Sequence, residues 1–137
     1  MSKKKTYFWI LIAFGLLMLV GCLWLRKSKM STAEGETQQR CFQKACFYLE
    51  TAKTPEQRSQ GLMFRKKLDK NYGMVFIFSD VGKHPFWMKN TMIPLDMIRL
   101  DAEYNIVDTK EVNPCTQDPC PVYTPVADAR YVIELNQ

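Results

Sequence analysis

Residues 130–136 read Arg-Tyr-Val-Ile-Glu-Leu-Asn. Tyr131, Ile133 and Leu135 fall on one side of an extended chain, and Val132, Glu134 and Asn136 on the other. That is the period of two a β-strand imposes. Working outward, Ala45–Ala52 (ACFYLETA) reads as a strand, and Gly73–Ser79 (GMVFIFS) as a buried strand flanked by turn residues. His84–Lys89 makes a further short strand, and Asn90-Thr91 breaks it. Asp96–Asp101 and Asn105–Lys110 make a hairpin around Ala102-Glu103-Tyr104. One helix is predicted. Thr54 is its N-cap, Pro55 stands at the first helical position where a missing N–H costs nothing, and Gln57 completes a capping box. It runs through Arg58 to about Met63, with Leu62 and Met63 as its apolar side. Five or more short strands with one short helix predict a mainly β domain. The expected form is a curled antiparallel sheet, as a small sandwich or part-open barrel.

The chain ahead of these strands is of another kind. Lys3-Lys4-Lys5 is followed by 19 residues without a charge, Tyr7 to Leu25, which as a helix would span about 28 Å, close to a bilayer core. Residues 1–27 therefore read as an N-terminal transmembrane helix or an export signal. Two forms stay open: an uncleaved anchor, or a lipoprotein signal in which Leu19-Val20-Gly21-Cys22 directs a lipid onto Cys22. Leu23-Trp24-Leu25 prolongs the apolar run past that cysteine, which favours the anchor. Residues 28–40 are polar without apolar periodicity and read as a tether. Residues 41–137 are left as the folded domain.

The net charge of +5 does not belong to that domain. From Cys41 to Gln137, 12 Lys and Arg stand against 12 Asp and Glu, and the basic surplus lies in the leader and tether. A nucleic-acid surface needs a basic excess or cluster, so nucleic acid is excluded as the expected partner. The domain's four cysteines form two equally spaced pairs, Cys41 with Cys46 and Cys115 with Cys120. Pro114, Pro119 and Pro121 make the second pair a stiff loop that a crosslink would hold. Local disulfides are expected, with strand-to-strand clamps as the other pairing. Zinc prefers closer C-x2-C knuckles, and thioredoxin-like redox work wants C-x-x-C. Disulfides imply an oxidising compartment outside the cytoplasm, which agrees with the leader.

Several motifs now line up: Thr54-Pro55-Glu56-Gln57-Arg58, Gly61-Leu62-Met63-Phe64-Arg65, Gly73-Met74-Val75-Phe76, Phe86-Trp87-Met88-Lys89-Asn90-Thr91, Ile93-Pro94-Leu95-Asp96, the prolyl cysteine loop, and Ala129-Arg130-Tyr131-Val132. Over residues 47–136 they closely resemble the DUF192 family of small uncharacterised prokaryotic proteins. The resemblance implies a compact mainly β domain, often exported, with no established activity. It also implies a Gly, a short helix and a final strand beyond the last strand here, so the domain is expected to lack its last strand.

Polar groups set among methionine and aromatic side chains are the candidate site: Arg58, Arg65, Trp87, Lys89, Asn90, Thr91 and Asp96. In a pocket, the arginines and Lys89 would anchor an anion and Trp87 would form a stacking wall. The competing expectation is a structural ion pair from Arg58 or Arg65 to Asp96. No catalytic set emerges: His84 is the single histidine, and no serine has an obvious base partner. Copper is a lesser possibility, because His84, Met88 and Met92 recur every four residues, but in a strand such positions stand about 13 Å apart. No cofactor is expected. The function that follows is a membrane-tethered extracytoplasmic module of the cell envelope, binding a small molecule or an envelope protein without catalysis. The alternative is an envelope enzyme or copper handler using Arg58, Lys89 and Asp96, or His84 and Met88.

Overall fold

The computed structural model describes residues 36–42 and 45–137. The leader, Cys22 and the choice between anchor and lipoprotein lie outside the described residues. Among the described residues no helix is long and apolar enough to cross a membrane.

Among the described residues eight strands and one helix follow in order: β1 Thr37–Phe42, β2 Ala45–Ala52, α1 Pro55–Gln60, β3 Tyr72–Gly82, β4 Phe86–Trp87, β5 Leu95–Leu100, β6 Ile106–Val112, β7 Val122–Tyr123 and β8 Ala129–Asn136. Six strands form one sheet in the order β1-β2-β3-β8-β5-β6, with β1 and β6 as its edges, and β4 with β7 makes a separate two-stranded ribbon. The expected strands are present. β1, however, takes in Thr37–Arg40, which the sequence placed in the polar tether. It pairs antiparallel with β2, and Cys41 stands directly opposite Cys46. The two are bonded, as are Cys115 and Cys120, so both disulfides are local.

The wholly antiparallel sheet is corrected by one pairing: β2 and β3 are parallel. Residues 53–71 and their helix carry the chain from the end of β2 to the start of β3. A connection of that length permits the crossover parallel strands need, whereas a hairpin uses only a few residues. The sheet is therefore mixed, and it is not closed.

The capping box forms as its residues predict. Thr54 Oγ1 accepts the Gln57 N–H at 3.2 Å, and Gln57 Oε1 accepts the Thr54 and Lys53 N–H groups at 3.0 and 2.9 Å. The helix is shorter than predicted, ending at Gln60 with Gly61 as C-cap, and it buries none of its own residues. Leu62 is buried in the turn that follows, so the turn and not the helix is fastened to the core. Thr54→Ala is expected to cost about 1 kcal/mol, the usual worth of an N-cap. A urea unfolding midpoint unchanged from the parent would contradict it.

Each face of the sheet carries its own apolar cluster. Ala52, Met74, Phe76, Leu95, Met97, Val112 and Val132 share one face with Leu62, Met88 and Ile93 from the loops over it. Leu49, Leu100, Ile133 and Leu135 lie on the other. Burial on both faces marks β8 as a central strand, flanked by β3 and β5. Gly73 permits the close approach of β3 to β8: a Cβ there would stand 2.2 Å from the Glu134 carbonyl oxygen.

Candidate functional site

Alternation along β8 sends Val132 and Glu134 to the same face, and Val132 lies in the main core. Glu134 therefore points inward. It is paired with Met74 of β3 on one side and Met97 of β5 on the other, and is only 5% exposed. Its carboxyl makes no side-chain hydrogen bond among the described residues. Burial pushes it up to about 8, against a weaker opposing pull from Arg99.

Arg99, on the same face of β5, is 1% exposed and turned elsewhere. One guanidinium nitrogen lies 2.8 Å from Asp108 Oδ2, and another donates to the Tyr123 carbonyl at 3.0 Å. The contact to Tyr123 holds β7 against the sheet. Arg99 Nε is buried with no hydrogen-bond partner. Glu134 thus feels the arginine's field without receiving its hydrogen bonds.

The Glu134 side chain forms part of the wall of a cavity of about 40 Å³. Phe76 comes from β3, Phe86 and Trp87 from β4, and Met63 and Gly61 from the turn after α1. Buried Thr91 closes the side formed by the 88–91 turn. Phe76 and Phe86 meet edge to face at 5.0 Å, a geometry aromatic pairs favour. The two turns are tied together: the Phe64 N–H donates to the Asn90 carbonyl at 2.8 Å. Both residues sit in the left-handed region, at φ +64° and +58°. Asn tolerates that conformation and Phe pays for it, so the turn that presents Met63 is held by tertiary contacts.

The structure separates the residues singled out in the sequence. Trp87 and Thr91 are on the cavity wall, with Arg58 beside them. Arg58 is no free anion anchor: its guanidinium donates to the Lys53 and Ile77 carbonyls and lies 5.1 Å over Phe78. Arg65 pairs bidentately with Glu50 at 2.5 and 2.6 Å, so the ion pair expected with Asp96 is not formed by either arginine. Asp96 lies between Leu95 and Met97, which face the main core, so its own side chain faces the other way. It stands opposite Glu111 on the outer side. Lys89 Nζ is 5.3 Å from the Trp87 ring, and Asn90 Nδ2 reaches Met63 Sδ at 4.0 Å. His84 stacks on Phe78 at 3.6 Å while Met88 is buried in the core. Among the described residues no three His, Cys, Asp or Glu side chains come together as a metal site.

Glu134 was missed because alternation assigned it to the polar side of β8. The available signal was its setting: Val-Ile-Glu-Leu is apolar on both sides of one acid, the pattern of a strand covered on both faces. Chemically, a lone carboxyl that is neutral near pH 7 can donate or accept one hydrogen bond, and it ionises when a cation approaches. The nearby acids Glu50 and Asp108 are held by Arg65 and Arg99.

Comparison with known proteins is consistent with this architecture. The family DUF192, described as an uncharacterized ACR, matches residues 37–137. The UPF0127 protein PH1112 of Pyrococcus horikoshii is 35% identical over 82 residues, which cover 56% of this chain and 62% of that relative, less than two thirds of its length. A crystal structure of a candidate transcription regulator from Sinorhizobium meliloti 1021 superimposes with a TM-score of 0.63 at 30% identity, covering 73% of this chain and 76% of that one. A protein of unknown function from Novosphingobium aromaticivorans DSM 12444 gives 0.62 at 29% identity, covering 67% and 64%.

Proposed function

The chain belongs to the DUF192 family of uncharacterized proteins, and from that premise we propose that it is a membrane-tethered extracytoplasmic binding module without catalytic activity, whose site is the cavity at Glu134. The observation that carries the binding role is the Glu134 carboxyl itself. A carboxyl that is only 5% exposed and has no hydrogen-bond partner among the described residues is expensive to keep for structure alone. Here it lies on the wall of a cavity lined by aromatic rings. The local disulfides support the location, since bonds of this kind persist in oxidising compartments. The uncharged run Tyr7 to Leu25 within the leader supports the tether.

Two measurements test the proposal. The full chain, made in a bacterium with its own leader, is expected in the membrane fraction, with the domain cut by protease added to spheroplasts. Recovery as a soluble cytosolic protein with free thiols would overturn the placement. A thermal-shift screen of the full chain in detergent would cover amines, sugars, nucleotides and anions. Binding to the folded state alone raises the melting temperature by mass action. One chemical class is expected to do so, with the shift lost in Trp87→Ala. No shift from any class would overturn the binding role.

A further inference from the structure

We propose that this cavity takes the terminal ammonium group of an extended primary amine, held by the Glu134 carboxylate and enclosed by the rings of Phe76, Phe86 and Trp87. The proposal rests on the binding role given above and names its ligand class.

Three properties of the site select this chemistry. First, the acid on the wall ionises beside a cation and not beside an anion, and the one arginine on the wall, Arg58, is engaged by two backbone carbonyls and the Phe78 ring. Secondly, aromatic rings beside a carboxylate stabilise an organic cation through their negative faces, and Trp87 already holds the Lys89 ammonium 5.3 Å from its own ring. A metal ion would find too few donors. Calcium takes six to eight oxygens and zinc four ligands, whereas the side chains of the wall provide one carboxyl, the Gln60 amide, the Ser59 and Thr91 hydroxyls and a thioether. Thirdly, size limits what enters. A cavity of about 40 Å³ is little more than the roughly 30 Å³ share of one water, enough for a single ammonium group. The rest of the ligand must leave past Trp87, which is 48% exposed at the mouth.

Entry of the cation changes the protonation of Glu134. In the empty site burial keeps the carboxyl neutral near pH 7, and an ammonium beside it favours the carboxylate, so one proton passes to the buffer on binding. The charged groups around Glu134 on this face are Arg99 of β5, pinned to Asp108, Arg58 of α1, Lys89 beside the Trp87 ring, Arg130 on β8 itself, the Glu50–Arg65 pair across β3, and exposed Lys110 beyond Met97. Binding is therefore expected to tighten roughly tenfold per pH unit from pH 6 to about 7.5 and to level off above 8.

Isothermal calorimetry on the full chain in detergent tests this. The probes are 1,5-diaminopentane, 1,5-pentanediol and glutarate, in two buffers of different ionisation enthalpy. The diamine is expected to bind with release of close to one proton at pH 7, and the diol and glutarate at least tenfold more weakly. Trp87→Ala, at an exposed position, is expected to weaken the diamine about tenfold. Glu134→Gln is expected to abolish proton release and weaken the diamine at least as much. A lysine-ended peptide beside its Nε-acetylated form separates a chain-borne amine from a free one, because only the former gives a peptide that binds and fails when acetylated. If the diol or glutarate binds better than the diamine, with loss in Trp87→Ala, the amine is the wrong class while the site stands. If no probe in this set or in the thermal-shift screen binds, both proposals fall.

Discussion

Replacing Glu134 with Gln is expected to stabilise the folded domain by several kcal/mol at pH 9 and to change its stability little at pH 4. The carboxyl is pushed from its ordinary 4.5 to about 8 because Met74, Met97 and the covering turns remove it from water. Its folded pKa lies above its unfolded one, so between these values the unfolded chain releases a proton that the folded one retains. Stability is fully present below pH 4.5, declines through the window between 4.5 and 8, and stays low above it. The whole interval corresponds to roughly 5 kcal/mol. Gln keeps the shape of the side chain and cannot ionise, so its stability curve is expected to be flatter across that window. Denaturant unfolding of both proteins from pH 4 to pH 9 measures the difference. Two parallel curves would mean that the Glu134 carboxyl is as well solvated as in the unfolded chain.

The second large effect is expected at Arg99. Arg99→Leu leaves Asp108 without its ion pair and the Tyr123 carbonyl without its donor, so β7 keeps only the packing of Tyr123 on the core. Breaking a buried pair from one side typically costs 3–5 kcal/mol, and a loss of about that size is expected in the unfolding free energy. The double variant Arg99→Leu, Asp108→Leu is expected to recover part of it, since no charge is then stranded. A single variant within about 1 kcal/mol of the parent would show that Asp108, 17% exposed, is satisfied by water. Arg99 also opposes the rise at Glu134, so its removal is expected to move the pH window of the first experiment upward.

Much of the local structure was legible. ACFYLETA is β2 residue for residue, the hairpin around Ala102-Glu103-Tyr104 is β5 and β6, and the capping box at Thr54 forms as its residues require. At that hairpin, Asp101 accepts the N–H groups of Glu103 and Asn105 at 2.9 and 2.8 Å. Such features depend on groups a few residues apart, which is why they can be read from a single segment. The candidate site was legible only in part. Trp87 and Thr91 were found as part of a group of polar residues set among methionine and aromatic side chains. Asp96 and the arginines were grouped with them on residue type alone, and the register places Asp96 on the opposite face.

By itself, then, the sequence determined the strands β2 to β6 and β8, where the helix begins, the equal spacing of the two cysteine pairs and that the folded part carries no net charge, while β1, β7 and the disulfide pairing came with the tertiary structure. Tertiary structure alone decided that β3 lies parallel to β2, that β8 runs between β3 and β5, and that Arg65 meets Glu50. It also decided that Glu134 is enclosed. The physical reason is that alternation divides a strand into two faces without stating what will cover either. Glu134 looks like a solvent-facing acid until β4 and two turns some 45 to 70 residues earlier, carrying Trp87, Met63 and Thr91, fold over it and leave it 5% exposed.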